Sequence, residues 1–458
     1  MNKKTVALSV VAVIGVAYVA ATAYVGSQTE KVVREQVAKA NSQLYEQLHA
    51  EHSTDYARLN ILSFDRDVFK SEAIYQLEVR IANERFDLQF EDTYYHGPLP
   101  VAGLVAGKWT PALSFARSEL LSTSDTETWF EAANGQKPLV AETVYHFGGS
   151  IDSDMTLASL TLPIEDYVIE TGEANLNFRT DGSLSNSSGA GFIPLVQFKS
   201  SEGGDTVSFL NISFDGHSAE DDAGKIYNEY STAIDSVLID SSLGAQVSLH
   251  SIDVSGEGRQ VGDLVEGGVS YRIADAQMNQ QSFGSFELGT YVKNIDYAAL
   301  KEISALSEQA ESDPSVLEPY WRQLLEQNPS LSISPFVWRN TGGETRVELD
   351  AQLKAIAEDD LSEQMVDKLK ITTQVSRDMV MAIFGEEAGF LSAMAEMIFD
   401  EKVKELSEQQ LIRYENDVAS FDFLYSGDEQ MVELNGRTMT VDEFALIAGS
   451  QVGPLLGM

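Results

Sequence analysis

The longest uninterrupted apolar stretch of the chain lies at its start. Residues 5–26 carry no charged side chain and are rich in Val and Ala, and Lys3 and Lys4 precede them. A helix of about twenty residues crosses the hydrocarbon core of a bilayer. The pattern therefore predicts a cytoplasmic tip and a transmembrane anchor within residues 1–26.

A cleaved signal peptide is the alternative interpretation of this stretch. Ala21 and Ala23 have the small-x-small spacing that a signal peptidase accepts, although the apolar run is longer than the usual signal. Because Lys3 and Lys4 precede the span, the positive-inside bias leaves them in the cytoplasm. Both interpretations place the large remainder of the chain outside the cytoplasm.

A helical pattern follows the anchor, in residues 27–57. Its apolar positions recur at intervals of three and four residues. Such spacing predicts an amphipathic juxtamembrane helix, either packed on its own domain or paired with a second copy in a short coiled coil that would make a homodimer. The positions are Val33, Val37, Ala40, Leu44 and Leu48.

Alternating apolar and polar positions dominate residues 58–295. Ala174, Leu176 and Phe178 alternate with Asn175, Asn177 and Arg179, and an Asp-Gly pair ends the run. Leu210, Ile212 and Phe214 repeat the pattern. Period-two alternation with such turns predicts antiparallel strands with one buried face. A short helix is expected between Asp221 and Asp235, and the remainder is a long β-meander.

Residues 296–458 mix helical and strand patterns. Capping residues and Pro predict helices from Asp296 to about Glu311 and from Asp313 to about Asn328. A longer helix is expected from Glu386 to about Glu415, with Leu391, Met394 and Ile398 on one face. The other predicted elements are strands at 331–339 and 345–353, an Asn435-Gly436 hairpin turn, and a last helix capped by Thr440 and Glu443.

Together these patterns predict an α+β protein. Its parts are an N-terminal transmembrane helix, a long antiparallel β-meander sheet, and helices packed on that sheet in the C-terminal third. The absence of a Pro- or Ser-rich linker favours continuous packing over separated domains.

The net charge of the chain limits the classes of partner that it can bind. It contains 71 acidic and 31 basic residues, for a formal net charge of −40. Such a surface repels phosphate backbones, so we expect no nucleic-acid binding, and it disfavours contact with anionic lipid surfaces. A solvated surface adapted to a salty exterior explains the charge, and a binder of cations or basic proteins is the alternative.

Candidate chemistry is sparse. The chain has no Cys, which excludes disulfides and thiolate metal sites, and it lacks the common nucleophile, zinc, phosphate and calcium motifs. His49 and His52 have the spacing of two metal ligands on a helix, but no third ligand accompanies them. We therefore assign no catalytic, cofactor-binding or metal-binding residue, and expect no cofactor.

One short segment is unusual in shape. His96, Gly97, Pro98 and Pro100 follow two tyrosines, and the prolines restrict the backbone around them. A rigid turn with a hydrogen-bonded His96 beneath it is the prediction, and a site at His96 is the alternative.

The same segment carries a resemblance. The His-Gly-Pro-x-Pro element after a Lys-flanked anchor resembles the YdgA-like family of bacterial envelope proteins of unknown function. Residues 331–335 and the hairpin at 432–437, with Asn435 and Gly436 at its turn, are also similar to that family. The resemblance implies inner-membrane attachment and a periplasmic domain in a Gram-negative bacterium, and brings no catalytic residues.

Two functions remain open. The first is a non-enzymatic scaffold or apolar-ligand binder of the cell envelope, with lipid or another envelope protein as its partner. The alternative is a hydrolase or other enzyme whose site is assembled from distant residues. An open apolar trough on the sheet would favour the first function, whereas a pocket with convergent polar groups would favour the second.

Overall fold

The computed structural model describes most of the chain beyond residue 55. It covers residues 56–66, 70–81, 84–96, 101–110, 112–164, 166–181, 185–201, 203–220, 225–306, 313–354, 365–384 and 389–448, together with Val37, Ala38 and Asn41. Contacts divide the chain into two compact units, residues 1–224 and residues 225–458, which we call unit 1 and unit 2.

Unit 1 is built from eleven described strands and two short helices, α1 (Val101–Val105) and α2 (Glu127–Ala132). The strands are β1 (Tyr56–Arg66), β2 (Lys70–Ile81), β3 (Glu84–His96), β4 (Ser114–Leu120), β5 (Leu139–Tyr145), β6 (Ile151–Leu157), β7 (Leu160–Ile164), β8 (Tyr167–Thr171), β9 (Ala174–Thr180), β10 (Ser187–Ser200) and β11 (Thr206–Glu220).

Every described pairing in unit 1 is antiparallel. Strands β1 to β6 pair in chain order, β9 joins β6, and β10 and β11 follow. The β7–β8 hairpin pairs with the second half of β10, beside β9. The sequence-predicted meander is therefore present, with one excursion.

The core of unit 1 lies on one face of β1–β6. Tyr75, Leu77 and Val79 of β2 are at most 1% exposed, and Trp129 and Phe130 of α2 pack against this cluster. Val37 belongs to the same cluster. Asn41 binds the backbone of Leu59 twice, with its amide N donating to the carbonyl oxygen (2.9 Å) and its amide O accepting from the N–H (2.7 Å).

The predicted common face of β9 and β11 is confirmed. A Cβ placed on Gly191 of β10 would lie 2.3 Å from the Phe214 ring and 2.6 Å from Leu176. The two side chains therefore meet over the glycine between them. The predicted outward residues Asn175, Asn177, Asn211 and Ser213 are all exposed.

Unit 2 contains strands of up to sixteen residues. They are β12 (Ile226–Asp240), β13 (Gln246–Val261), β14 (Leu264–Met278), β15 (Gln281–Asp296), β16 (Ser330–Asn340), β17 (Gly343–Leu353), β18 (Val366–Ser376), β19 (Arg413–Glu415), β20 (Val418–Ser426), β21 (Met431–Leu434) and β22 (Arg437–Thr440). Strands β12 to β18 pair antiparallel in chain order, followed by β20, β21 and β22, while β19 pairs with β20.

The helices of unit 2 interrupt this meander at its connections. Between β15 and β16 lie α3 (Tyr297–Ala305), a 3₁₀ turn (Pro314–Leu317) and α4 (Glu318–Glu326). Between β18 and β19 lie α5 (Arg377–Ala382) and α6 (Phe390–Glu408), and α7 (Val441–Ala448) follows β22. Most of the protein is thus antiparallel sheet with few helices.

Several predicted helix ends are confirmed. The Asp296 carboxylate accepts from the N–H of Ala299 at the start of α3, and Asp313 accepts from the N–H of Ser315. Thr440 and Glu443 exchange the two hydrogen bonds of a capping box. These local signals determine their structure without help from the rest of the fold.

Two helix predictions were wrong in extent or type. A helix was expected between Asp221 and Asp235, but β12 begins at Ile226 and runs through this region. Its aromatic and β-branched residues pair along the length of β13, which favours a strand. The helix expected to reach Glu415 ends at Glu408, where Gln410 adopts a positive φ of 60° and β19 begins soon afterwards.

The predicted anchor at residues 5–26 and most of the predicted juxtamembrane helix lie outside the described residues, although Val37, Ala38 and Asn41 are helical. Among the helices that the structure describes, none is both long enough and apolar enough to cross a membrane. The boundary predicted at residue 295 falls where β15 passes into α3.

Candidate functional site

One face of the unit 2 sheet carries four parallel rows of mainly apolar side chains from β13 to β18. The strand registers define the rows, which together we call the open face. They are Ile252, Ile273, Phe286, Trp338, Thr345 and Val375; Val254, Tyr271, Leu288, Phe336, Val347 and Thr373; Gly256, Val269, Thr290, Ile333, Leu349 and Ile371; and Gly258, Gly267, Val292, Leu331, Ala351 and Leu369.

The open face is not covered as a core is. None of its residues is buried, and Tyr271 and Leu331 are 46% and 42% exposed. A Cβ placed on Gly258 would meet no atom within 4 Å. By contrast, the inward residues of β2 in unit 1 are almost completely buried. The two units therefore differ in how completely their apolar strand faces are buried.

The opposite side of the same strands is mainly polar and charged, although Val337 is buried there (1% exposed). Asp253, Glu257, Arg272 and Lys368 are exposed there, and burial together with Glu266 and Glu257 raises the pKa of Tyr291. A sheet with one polar and one apolar face is expected to have the apolar one covered. In unit 2 the described elements leave that cover incomplete.

Helices border the open face at its ends. Helix α5 lies beside the first row. Its Met379 is 1% exposed, and the Met379 sulfur accepts from the Thr345 hydroxyl of that row (3.2 Å). Helices α3 and α4 pack beside the end of β15 beyond the fourth row, where Gln323 donates to the Asp296 carboxylate (3.1 Å). The side chains between these two ends are left partly exposed.

A small core borders the face along its third side. Phe421, Phe423 and Tyr425 of β20 continue the rows, and they pack with Leu434 and other residues of β21, β22, α6 and α7. Apolar side chains thus continue from the open face into a filled region.

The dimensions of the open face follow from sheet geometry. Six strands at about 4.8 Å spacing and four rows about 6.8 Å apart give about 24 Å by about 20 Å, or on the order of 500 Å². The largest apolar patch on an ordinary monomer is of this order and is often functional. An acyl tail that reaches half of a bilayer core, about 15 Å, fits within it.

His96, the residue singled out in the sequence, lies at the end of β3 in unit 1. Its Nε2 is 2.9 Å from the Ser71 hydroxyl, and Ser71 is 1% exposed. A serine beside a histidine is the arrangement of an activated nucleophile, but a nucleophile must also meet its substrate. The burial of Ser71 instead fits a structural hydrogen bond.

A second polar group lies beside this pair. The Tyr94 hydroxyl donates to the Asp92 carboxylate (2.8 Å) and lies 3.1 Å from the Tyr75 hydroxyl, and all three residues are fully buried. Across the strand pair from His96, the Ser114 hydroxyl is buried with no partner among the described contacts. Buried polar groups joined in this way fix the packing of a core.

Asn435 and Gly436 form the tight turn between β21 and β22, with φ values of 52° and 84°. The Asn435 side chain accepts from the N–H of Asp422 (3.0 Å) and donates to the carbonyl oxygen of Leu411 (3.0 Å). One side chain therefore ties the hairpin to β20 and to the segment after α6.

The other signature residues, Gly97, Pro98 and Pro100, lie outside the described residues, as do His49 and His52. Within the part of the chain that the structure describes, no three His, Asp or Glu side chains converge on a possible metal position. The structure brings His96 to Ser71 and Asn435 to Leu411, and each contact stays within its own unit.

Sequence reasoning missed the open face itself. A signal for it was present, because Ile252, Val254, Ile273 and Tyr271 alternate with polar residues as clearly as the strands of unit 1 do. Alternation identifies the apolar side of a strand but does not reveal whether another element covers it.

Comparison with known proteins gives relatives whose names state no activity. The chain is 24% identical to Protein YdgA of Escherichia coli K12, an alignment that covers 97% of this chain and 96% of that protein. It is 23% identical to the uncharacterized protein YihF of the same organism, over 97% and 98% of the two chains. An uncharacterized protein of Haemophilus influenzae is 26% identical over 35% of this chain and 43% of its own.

No solved structure matches the chain. The model of one bacterial family covers residues 1–442, nearly the whole sequence. The family resemblance seen in the signature elements is thereby confirmed. The chain belongs to the family described as bacterial protein of unknown function (DUF945).

Proposed function

We propose that this protein binds lipid acyl chains on the open face of unit 2, as a non-enzymatic component of the bacterial envelope. In this proposal residues 5–26 anchor the chain in the inner membrane and the two units lie in the periplasm. The observation that carries the proposal is the set of partly exposed apolar rows from β13 to β18.

The chemistry of the open face suits an apolar occupant. Its backbone groups pair along the sheet, and only Thr, Tyr and Trp side chains add polar atoms to the rows, with the Trp338 N–H already bound to the carbonyl oxygen of Phe283. Small-molecule sites usually carry a few placed polar groups that fix orientation, and protein interfaces have a polar rim and hydrogen bonds. Acyl chains need neither, because burial of apolar area is non-directional.

The area of the open face sets the size of the burial term. Covering half of a surface of about 500 Å² at about 25 cal/mol per Å² corresponds to roughly 6 kcal/mol before the costs of association. An acyl tail offers that contact without any hydrogen bond to replace. Because the same area would otherwise be in contact with water, the purified protein should retain bound lipid.

Photocrosslinking tests the proposal with neighbouring positions as a matched pair. Tyr271 lies on the open face and Arg272 on the polar face, and both are exposed. We expect p-benzoyl-phenylalanine placed at Tyr271 in cells to capture lipid, which mass spectrometry of the purified full chain detects. The same group at Arg272 should capture none.

Two results would contradict the proposal. Equal lipid capture at both positions would mean that the lipid is not specific to the open face. Capture of a protein at Tyr271 with no lipid would mean that the face is a protein interface, the scaffold function, in place of a lipid site.

A further inference from the structure

Residues 449–458 follow α7, and we call them the tail segment. They lie outside the described residues. The tail segment contains no charged side chain, whereas charged residues make up 22% of the whole chain. Its large apolar side chains are those of Val452, Leu455, Leu456 and Met458. A segment of this composition gains free energy when it is buried against an apolar surface.

The other segments of unit 2 that lie outside the described residues have a different composition. Residues 307–312, 355–364 and 385–388 each contain at least two acidic side chains. A carboxylate moved onto an apolar surface loses its hydration, so these segments do not suit the rows of the open face. The tail segment is the uncharged one among them.

The tail segment starts beside the open face. The Phe444 ring of α7 packs on the Phe423 ring of β20, with centroids 5.3 Å apart. Phe423 lies directly opposite Ile371, which ends the third row on β18. Ala448 at the end of α7 is four residues beyond Phe444, or about 6 Å along the helix axis. The tail segment therefore leaves α7 close to the β18 border of the open face.

The length of the tail segment matches the width of the open face. Ten extended residues span about 33 Å, at about 3.3 Å each. The rows cross six strands, or about 24 Å from β13 to β18. The difference of about 9 Å allows for the passage from the end of α7 to the first strand. The tail segment is therefore long enough to cross all of the rows.

The described helices beside the open face are held in place by their own contacts. Arg377 of α5 pairs with Glu396 and Asp400 of α6. Leu406 near the end of α6 packs in the small core with Phe421. These contacts fix the borders of the open face but leave its rows partly exposed. Further cover has to come from outside these elements.

We infer that the tail segment docks across the open face of its own molecule and that a lipid acyl chain displaces it. The displacement rests on the proposed function, whereas the docking needs only the apolar rows. Because α7 tethers the tail segment, docking is intramolecular, and short tethers give effective concentrations in the millimolar range. The open face then has an internal competitor, which a ligand that buries more apolar area replaces.

Photocrosslinking from the tail segment tests the docking. p-Benzoyl-phenylalanine replaces Leu455 in the full chain in cells, and mass spectrometry of the purified protein maps the attached peptide. We expect attachment to strands β13–β18 of the same molecule. The control position is Leu446, which is 86% exposed on the last turn of α7. Leu446 is two residues beyond Phe444 and does not share its face of the helix, so crosslinks from Leu446 should miss the rows.

Lipid capture at Tyr271 tests the displacement. The full chain with p-benzoyl-phenylalanine at Tyr271 is titrated with phosphatidylcholine in an uncharged maltoside detergent. A tail segment that occupies roughly 80–90% of the molecules lowers the apparent lipid affinity about five- to tenfold. The triple variant Val452→Ser, Leu455→Ser, Leu456→Ser should therefore need about five- to tenfold less phosphatidylcholine for half-maximal capture.

Leu446→Ser is the matched control for the titration, since it removes an exposed leucine just before the tail segment. It should leave the lipid requirement unchanged, and thermal melting checks that both variants fold. Crosslinks from Leu455 that miss the rows, or an unchanged lipid requirement in the triple variant, overturn the inference while lipid binding stands.

Two further outcomes are distinct from these. Crosslinks from Leu455 to the rows of a second molecule overturn the intramolecular contact. If Leu455 crosslinks to the rows but Tyr271 captures no lipid in either protein, the proposed function and the displacement are overturned, and the tail segment is an ordinary cover of the sheet.

Discussion

Trp338 stacks on Phe286 of the neighbouring strand, with ring centroids 5.1 Å apart and planes 23° from parallel. The indole N–H donates to the carbonyl oxygen of Phe283 (2.6 Å), which orients the ring. Both rings belong to the first row of the open face, and neither is buried. The pair is an aromatic surface held in place while only partly covered.

Trp338 should therefore report on acyl chains directly. We expect lipids brominated along their acyl tails to quench tryptophan fluorescence in the full-length protein, because bromine would approach the partly exposed ring. Trp338→Phe should remove most of that quenching, since it keeps an aromatic ring but not the indole. Trp109→Phe is the control, because Trp109 is 74% exposed but belongs to unit 1.

Quenching that persists in Trp338→Phe and disappears in Trp109→Phe would move the lipid contact to unit 1. That result would be incompatible with acyl chains on the open face.

A side chain at Gly191 should force the ends of two neighbouring side chains to move. Its added Cβ would overlap the Phe214 ring and Leu176 in a shared interior, so Gly191→Ala should lower the free energy of unfolding by about 1–3 kcal/mol. At Gly189→Ala on the same strand the nearest atom is 3.6 Å away, and the change should stay within about 0.5 kcal/mol. Chemical denaturation measures both, and equal losses would show that the face is loosely packed.

Asn435 should matter for stability in spite of its position in a turn. Asn435→Ala removes the bonds to Asp422 and Leu411 and places a less suitable residue at positive φ, so we expect a loss of about 2–3 kcal/mol. Limited proteolysis between α6 and β20 should become faster. Thr438→Ala, an exposed position in the same hairpin, should change the cleavage rate little.

His96 is expected to act through its hydrogen bond with Ser71. His96→Gln keeps a donor and an acceptor and should cost under about 1 kcal/mol, whereas His96→Ala leaves the buried Ser71 hydroxyl without this partner and should cost about 1–3 kcal/mol. Thermal melting distinguishes the two. If His96→Gln abolished a cellular phenotype while the protein stayed folded, His96 would have a chemical role.

Acid should weaken the contact between Asp152 and its neighbours in unit 1. Burial opposes ionisation of Asp152, but hydrogen bonds from Arg179 (2.7 Å) and His146 (3.0 Å) outweigh it and lower the pKa of the carboxyl. A lowered pKa in the folded state contributes stability above the unfolded value of about 3.9, and this is lost as the pH falls through the folded pKa.

Asp152→Asn should therefore destabilise at neutral pH, and the loss should be smaller near pH 3, below the unfolded pKa. Arg179 is 74% exposed, so the neutral-pH loss should stay below about 1 kcal/mol. Denaturation at the two pH values measures it. A loss of equal size at both would assign the effect to packing instead of charge.

Local patterns predicted the strands and caps because their causes are local. Asp296 and Thr440 carry their partners within three residues, and the alternation around Ile212 needs only a neighbouring strand. The helix prediction for Asp221–Asp235 was wrong because the local helical preference was weak and pairing with β13 determined the structure. The open face was missed because coverage depends on where helices pack, which no single strand encodes.

Of the candidate sites, the sequence identified the Asn435-Gly436 turn but not the hydrogen bonds of the Asn435 side chain with Asp422 and Leu411, which lie 13 and 24 residues away. His96 was identified by its unusual neighbours, yet its partner Ser71 lies 25 residues away and carries no local signal.

Asn41 has a consequence for where the folded protein begins. Its side-chain amide forms hydrogen bonds with both the N–H and the carbonyl oxygen of Leu59, so it satisfies these two groups of β1 as a neighbouring strand would. A chain shortened to start at Tyr56, a natural choice for a soluble sample, would present those groups unmatched. Exposed strand edges recruit other chains, so such a sample should self-associate, whereas one that retains residue 41 should remain dispersed.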